Sequence, residues 1–371
     1  MFADVVNAFA RSGYECTLLA SQSDEKTNYK LDDNVKFIKG TPYDRTSFVR
    51  RIKTWLSYTF QANKYVMNHI DEDLFIVSNP PLTMFIPLLH KCSYSMLIYD
   101  TYPDALVSVG MLKDKNPIIR WWKNKNRQIF GNAKVVYTLS DNMAKNLTQY
   151  CDEKKIRVIP NWSYDFIGND TPLLKFPLAH SANHFLLELG LQDKFIVLYS
   201  GNIGNTHKVE TLVAVASLLK DVNQIHFLII GDGSKKSLVE KMVNEQGLEN
   251  CTILPFLPRN KMVYSLGAAD IGVITLSEGA SDVSVPSKTY NMLGVGAALM
   301  CIASPDTELG YLVRTFNVGK TFISSDTEGM KNFILSLASD KDSLLLYKRN
   351  SIDASKQFTS RNAEKYVEQY L

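Results

Sequence analysis

A chain of 371 residues is long enough for two domains with separate hydrophobic cores. Apolar residues make up 45% and charged residues 21%, which excludes a disordered or fibrous protein. No apolar run reaches the roughly 18 residues of a membrane span, and no signal peptide precedes the first charges, so a cytoplasmic location is expected. The five cysteines, Cys16, Cys92, Cys151, Cys251 and Cys301, are scattered and mostly lie in apolar runs. They read as reduced core thiols, neither a disulfide framework nor a zinc site.

The chain opens with an amphipathic helix, Met1 to Arg11, with Phe2, Val5, Val6 and Phe9 on one stripe. Gly13 ends it, and the strand Glu15 to Ala20 follows. A doubly wound domain normally begins with a strand and a Gly-rich turn, and this one offers neither before its first helix. From there β and α alternate: strand 35–38, helix 46–70, strand 74–78, the break Asn79-Pro80-Pro81, helix 82–91, strand 96–99 and the loop Asp100 to Asp104. Helix 118–130, strand 135–139, helix 141–150 and strand 156–159 complete this half, which Pro160-Asn161-Trp162 closes.

Residues 166–193 read as a linker between an amino-terminal domain, 1–165, and a carboxyl-terminal domain, 194–354. The second half repeats the rhythm with strands at 195–200, 225–230 and 252–254 and helices at 209–219, 234–245 and 261–268. Its most informative stretch is Asp270 to Ala303. Two apolar strands, 271–275 and 297–303, enclose a polar loop and a helix starting near Pro286, where a missing N–H costs nothing. Ser284 or Ser287 is expected to cap that helix, leaving the N–H groups of Ser287, Lys288 and Thr289 free for an anion such as a diphosphate. The loops 201–208, 231–233, 255–259 and 278–291 all follow strands, so they share one sheet edge and are expected to face a cleft. An amphipathic helix, 360–371, is expected to end the chain, within a closing segment 355–371 that packs back on the amino-terminal domain.

The net charge of +3 is unevenly spread. Residues 1–160 hold 22 Lys and Arg against 16 Asp and Glu, or +6; the remainder holds 19 against 22, or −3. Basic and aromatic residues interleave at Arg45 to Phe60 and at Lys113 to Arg127, a pattern suited to an anionic membrane surface or to a solvated helix over a core. No nucleic-acid motif accompanies the charge.

In order and spacing, SNPPL (Ser78 to Leu82), YDTYPD (Tyr99 to Asp104), PNW (Pro160 to Trp162), YSGNIG (Tyr199 to Gly204), IIGDGS (Ile229 to Ser234), LPFLPR (Leu254 to Arg259) and VPSKTY (Val285 to Tyr290) resemble the GT-B glycosyltransferases of family 4. Among these it is similar to enzymes of O-antigen and capsule assembly, such as L-fucosamine transferases. The resemblance implies an α/β fold of two Rossmann-like, doubly wound parallel-sheet domains, here without the first amino-terminal strand. It implies a retaining transfer from a nucleotide-diphosphate sugar, UDP-linked, to a lipid-linked oligosaccharide at the cytoplasmic face of the inner membrane, with no metal or other cofactor. Gly201, Asn202, Gly204 and Lys208 would meet the diphosphate. Gly231, Asp232 and Gly233 would admit the nucleotide, and Leu257 and Pro258 would read the base. Ser287 and Lys288 would complete the phosphate site, Lys288 with a catalytic role, and Asp100 would position or deprotonate the acceptor.

The chain departs from the family pattern where a ribose-binding Glu is replaced by Asn291, and where Glu278 and Asp282 flank Ser281. Two rival readings follow: an epimerase acting on UDP-N-acetylglucosamine, or an inactive, truncated relative. Three further patterns read as structural. Asp71-Glu72-Asp73 imitates a metal-binding DxD, His180 and His184 have zinc-like spacing without the glutamate, and Gly231 to Ser237 lacks P-loop spacing.

Overall fold

The computed structural model describes residues 2–21, 31–44, 48–108, 112–164, 175–204, 207–276 and 286–370. The chain divides into two compact units, one of Met1–Pro160 with Ser360–Leu371, the other of Asn161–Thr359. Each is built from parallel strands with helices between them, as alternating β and α segments dictate.

In the first unit, β1 (Cys16–Ala20) and β2 (Val35–Lys39) pair in parallel, with no further partner among the described residues. A separate sheet runs in the order β3 (Leu74–Val77), β4 (Tyr94–Ile98), β5 (Val136–Thr138), β6 (Ile156–Val158). Among the described residues, the parallel strands of this unit thus fall into two sheets. In a parallel ladder successive peptide groups face opposite sides. Ala20 accepts from Gly40 on the β2 side, so the Leu19 carbonyl faces away from β2 and accepts from the Tyr58 hydroxyl at 2.6 Å. The Tyr58 hydroxyl thus satisfies an edge carbonyl that a neighbouring strand would otherwise take.

An aromatic cluster ties the helix Phe2–Arg11 and the chain's last residues to this unit. Phe9 lies 5.8 Å from Phe75 and 5.0 Å from Tyr370, and Tyr137 donates to the Tyr366 carbonyl at 2.9 Å. The expected single closing helix is a 3₁₀ turn, Ser360–Ala363, followed by Glu364–Glu368. Likewise the helix expected at 82–91 is a 3₁₀ segment, Pro81–Leu88, because Pro87 lacks the N–H that an α-helix needs there.

The second unit carries one six-stranded parallel sheet. Its order is β12 (Gly319–Phe322), β11 (Ala298–Ile302), β10 (Ile271–Thr275), β7 (Phe195–Asn202), β8 (Ile225–Asp232), β9 (Cys251–Leu254). Its central strands are buried on both faces, so they read as unbroken apolar runs. Strands added after β7 grow outward through β8 and β9, whereas β10 returns to the other side of β7. That reversal makes the carboxyl ends of β7 and β10 a switch point, the place where an open parallel sheet leaves a crevice.

Candidate functional site

Residues two apart on a strand share a face. Val197 and Tyr199 therefore enter the same core, and Gly201 follows them at the strand's end. The Tyr199 ring is fully buried while its hydroxyl reaches the end of the strand and donates to the Asn202 carbonyl at 2.6 Å. Lys288, first residue of the helix Lys288–Gly294 that follows β10, arrives from the other side of the switch point. Its Nζ donates to the Tyr199 hydroxyl at 3.1 Å and stands 4.2 Å from the centre of that ring. φ at Gly201 is +153°, a conformation that favours glycine, and a Cβ there would press on the same nitrogen at 3.0 Å.

Burial lowers the Lys288 ammonium to about 7, and no carboxylate among the described residues is paired with it. His207 in the same loop is held neutral, pushed down to about 4 by burial and by Lys288. A lysine poised near neutrality beside a glycine turn gains charge when an anion approaches.

The neighbouring turn locks onto the first. Ile203 donates to the Asp232 carbonyl at 2.8 Å, and Lys235 donates to the Ile203 carbonyl at 2.9 Å. A Cβ on Gly231 would overlap the Gly201 carbonyl, and one on Gly233 would lie 2.5 Å from that of Ile203. Glycine at these positions admits the protein's own backbone, the carbonyls of Gly201 and Ile203. The side chain of Asp232 is turned back on the Gly233 N–H at 2.8 Å. Lys208 sits at the amino end of the helix Val209–Leu218, and Glu210 in that helix binds Lys235 at 2.7 Å.

Other expected residues lie elsewhere. Leu257 and Pro258 follow β9, at the sheet margin, with Pro258 leading into the helix Arg259–Leu266. Asn291 is buried, and its amide oxygen accepts from the Tyr164 N–H at 3.0 Å, so that acceptor serves the fold. Ser287 is exposed and helical, and its side chain makes no capping bond. The Thr289 N–H is not free as expected; it donates to the Pro286 carbonyl at 2.9 Å, a backbone turn replacing the side-chain cap. Ser281, Ser284, Glu278 and Asp282 lie outside the described residues.

Asp100 belongs to the first unit, just beyond β4. Its N–H and that of Tyr99 both donate to the buried Ser78 hydroxyl, at 3.2 and 2.9 Å, and burial raises its carboxyl above the usual range. Asp73 of the DxD-like segment pairs with Lys134 at 2.9 Å, and His180 lies 3.4 Å from Asp270. Tyr199 is the site residue that pattern reading passes over, because a tyrosine in an apolar strand reads as core. The available signal was its position two residues before the glycine, at the ligand-bearing end of a parallel strand.

Residues 188–283 match the family described as Glycosyl transferases group 1. WcaI of Escherichia coli (strain K12), named for glycosyl transfer in colanic acid biosynthesis, is 29% identical over 274 residues, covering 72% of this chain and 63% of WcaI. Among solved structures, sucrose-phosphate synthase from Thermosynechococcus elongatus has a TM-score of 0.75 at 15% identity, over 98% of this chain and 90% of that one. Anabaena Alr3699/HepE in complex with UDP and glucose gives 0.71 at 11%, over 99% and 94%. The chain has the GT-B fold, and part of its second unit is similar to group 1 glycosyl transferases. On the GT-B fold, the segment matched by the family spans β7 to β10, the strands that build the switch point.

Proposed function

We propose that this protein is a retaining glycosyltransferase that moves a sugar from a UDP-linked donor to a lipid-linked oligosaccharide in surface polysaccharide synthesis. Residues 194–354 would hold the donor and residues 1–165 the acceptor, with 166–193 as the linker. One observation carries the reading: the ammonium of Lys288 stands over the Gly201 turn at the switch point, where a diphosphate would meet both a cation and peptide N–H groups. As the sugar leaves, negative charge grows on the departing diphosphate, and a preorganised cation there lowers the barrier without a resident metal or other cofactor. Support also comes from WcaI, a glycosyl transferase by name, and from the GT-B neighbour that binds UDP.

Asp100 would receive the acceptor hydroxyl's proton, a role for which a carboxyl raised by burial is suited. Peripheral attachment to the cytoplasmic face of the inner membrane fits one exposed stripe on the helix Phe48–Asn68. Val49, Leu56, Phe60 (72% exposed) and Met67 recur at helical spacing, with Arg50, Arg51, Lys53 and Lys64 beside them.

Calorimetric titration with UDP tests the donor site: the wild type should bind, and Lys288→Ala should bind at least about tenfold more weakly, the loss of a charge-assisted contact. Equal affinity in the two proteins would remove Lys288 from the site. Transfer assays with a UDP-sugar panel and a lipid-linked acceptor test the reaction itself; Asp100→Asn should bind UDP normally yet lose turnover.

A further inference from the structure

We propose that Tyr199 is the positioning residue of this site: its hydroxyl, anchored on the Asn202 carbonyl, holds the Lys288 ammonium above Gly201 in the orientation a diphosphate requires. The chain of contacts is directional. The hydroxyl proton is committed to Asn202 at 2.6 Å, so only oxygen lone pairs face Lys288 Nζ at 3.1 Å. An acceptor so oriented favours the ammonium over the neutral amine, and the ring beneath it, 4.2 Å from centre to nitrogen, does the same. Tyr199 itself cannot move, because its ring is fully buried among Val197, Ile229 and Val273 in the core of the second unit. One side chain thereby links three parts of the site: the end of β7, the Asn202 turn and the helix that begins at Lys288.

The same hydroxyl fixes how the site responds to pH. Among the described residues, two titratable groups face Lys288: Tyr199 from β7 and His207 from the loop after it. His207 titrates near 4 and burial raises Tyr199 well above neutrality, so neither changes charge between pH 6 and about 8.5. Within that window the response belongs to Lys288. Removing the Tyr199 hydroxyl withdraws an acceptor from the ammonium, which moves the Lys288 midpoint to lower pH.

The inference rests on the donor reading above only for the identity of the anion. It is tested with UDP titrations between pH 6 and 8.5, and with ε-¹³C-lysine NMR titration of Lys288, assigned through Lys288→Arg, in wild type and Tyr199→Phe. The expected result is a Lys288 midpoint about one pH unit lower in Tyr199→Phe, with UDP binding about tenfold weaker at pH 7.5 and converging on the wild type toward pH 6. A uniform loss at every pH, or an unmoved midpoint, would show that Tyr199 only fills space. If the wild type ignores UDP while the midpoint still drops, the positioning role stands and the donor assignment falls. Should Tyr199→Phe fail to fold, the wild type alone decides: Lys288 ε-protons without the upfield shift of an aromatic ring 4.2 Å away would overturn the proposal.

Discussion

The amide oxygen of Asn291 accepts the backbone N–H of Tyr164 at 3.0 Å, joining the start of the second unit to the helix that carries Lys288. The two residues are 127 positions apart. Asn291→Leu keeps the volume roughly constant but takes the acceptor from the part-buried Tyr164 N–H, and an unsatisfied donor there costs about 1–3 kcal/mol at most. Urea unfolding should show that loss, and Asn291→Asp, which keeps an acceptor, should recover most of it. A Leu variant as stable as the wild type would mean the bond contributes nothing.

Two glycines of the site should respond in opposite ways. At Gly231 a methyl group meets the backbone carbonyl of Gly201, which cannot turn aside, so Gly231→Ala must spread the ends of β7 and β8. Overpacking of this kind costs about 1–3 kcal/mol and should also weaken UDP binding by displacing the Gly201 turn. At Gly204 the same methyl meets only the side-chain amide of Asn202, 2.7 Å away and free to rotate. Gly204→Ala should therefore change the melting temperature little. Equal effects at both positions would contradict the close approach of the two turns.

Much of the second unit was legible because its physics is local. Largely apolar runs such as Phe195 to Ser200 and Ile225 to Ile230 read as buried strands, and the glycines after them mark turns at one edge. What those glycines accommodate was not legible, since the Gly201 carbonyl opposite Gly231 belongs to a strand 30 residues earlier, paired in register. The segment 304–354 suggested no elements, although Asp326 and Asp340 cap helices there. Its strand, Gly319–Phe322, is short and begins with a glycine packed under the Leu299 carbonyl, so periodicity has little to act on. In the first unit the division into two sheets depends on which edges find partners, and no property of one strand announces that.

Acid should loosen the second unit through His226. Its ring is buried on β8, 2.9 Å from the Thr252 hydroxyl, and burial followed by the charge of Lys194 lowers it to about 4. The unfolded chain, with histidine near 6.5, binds more protons between these values, so stability falls as pH drops through that window. At pH 5 the loss amounts to roughly 2 kcal/mol for this one group. His226→Gln should flatten the decline between pH 6.5 and 5 in thermal melts; a slope identical to the wild type's would assign it to other groups.

Asp270 and Lys348 form a buried pair, Oδ1 to Nζ at 2.7 Å, between the residue preceding β10 and the helix Lys341–Ser355. The other carboxylate oxygen accepts from the Ile196 N–H at 2.9 Å, so Asp270 is held from β7 as well. Removing the lysine leaves a desolvated carboxylate facing only the Ile196 N–H and His180, 3.4 Å away, which costs up to about 3–5 kcal/mol, more than a pair of this kind need contribute when both members are present. Lys348→Met should therefore be strongly destabilising, whereas Asp270→Asn with Lys348→Met should recover a large part, since the asparagine oxygen can still accept from Ile196. Denaturant midpoints for the two single variants and the double variant close this cycle. If the double variant were as unstable as Lys348→Met alone, the cost would come from lost packing around the lysine stem and not from the stranded charge.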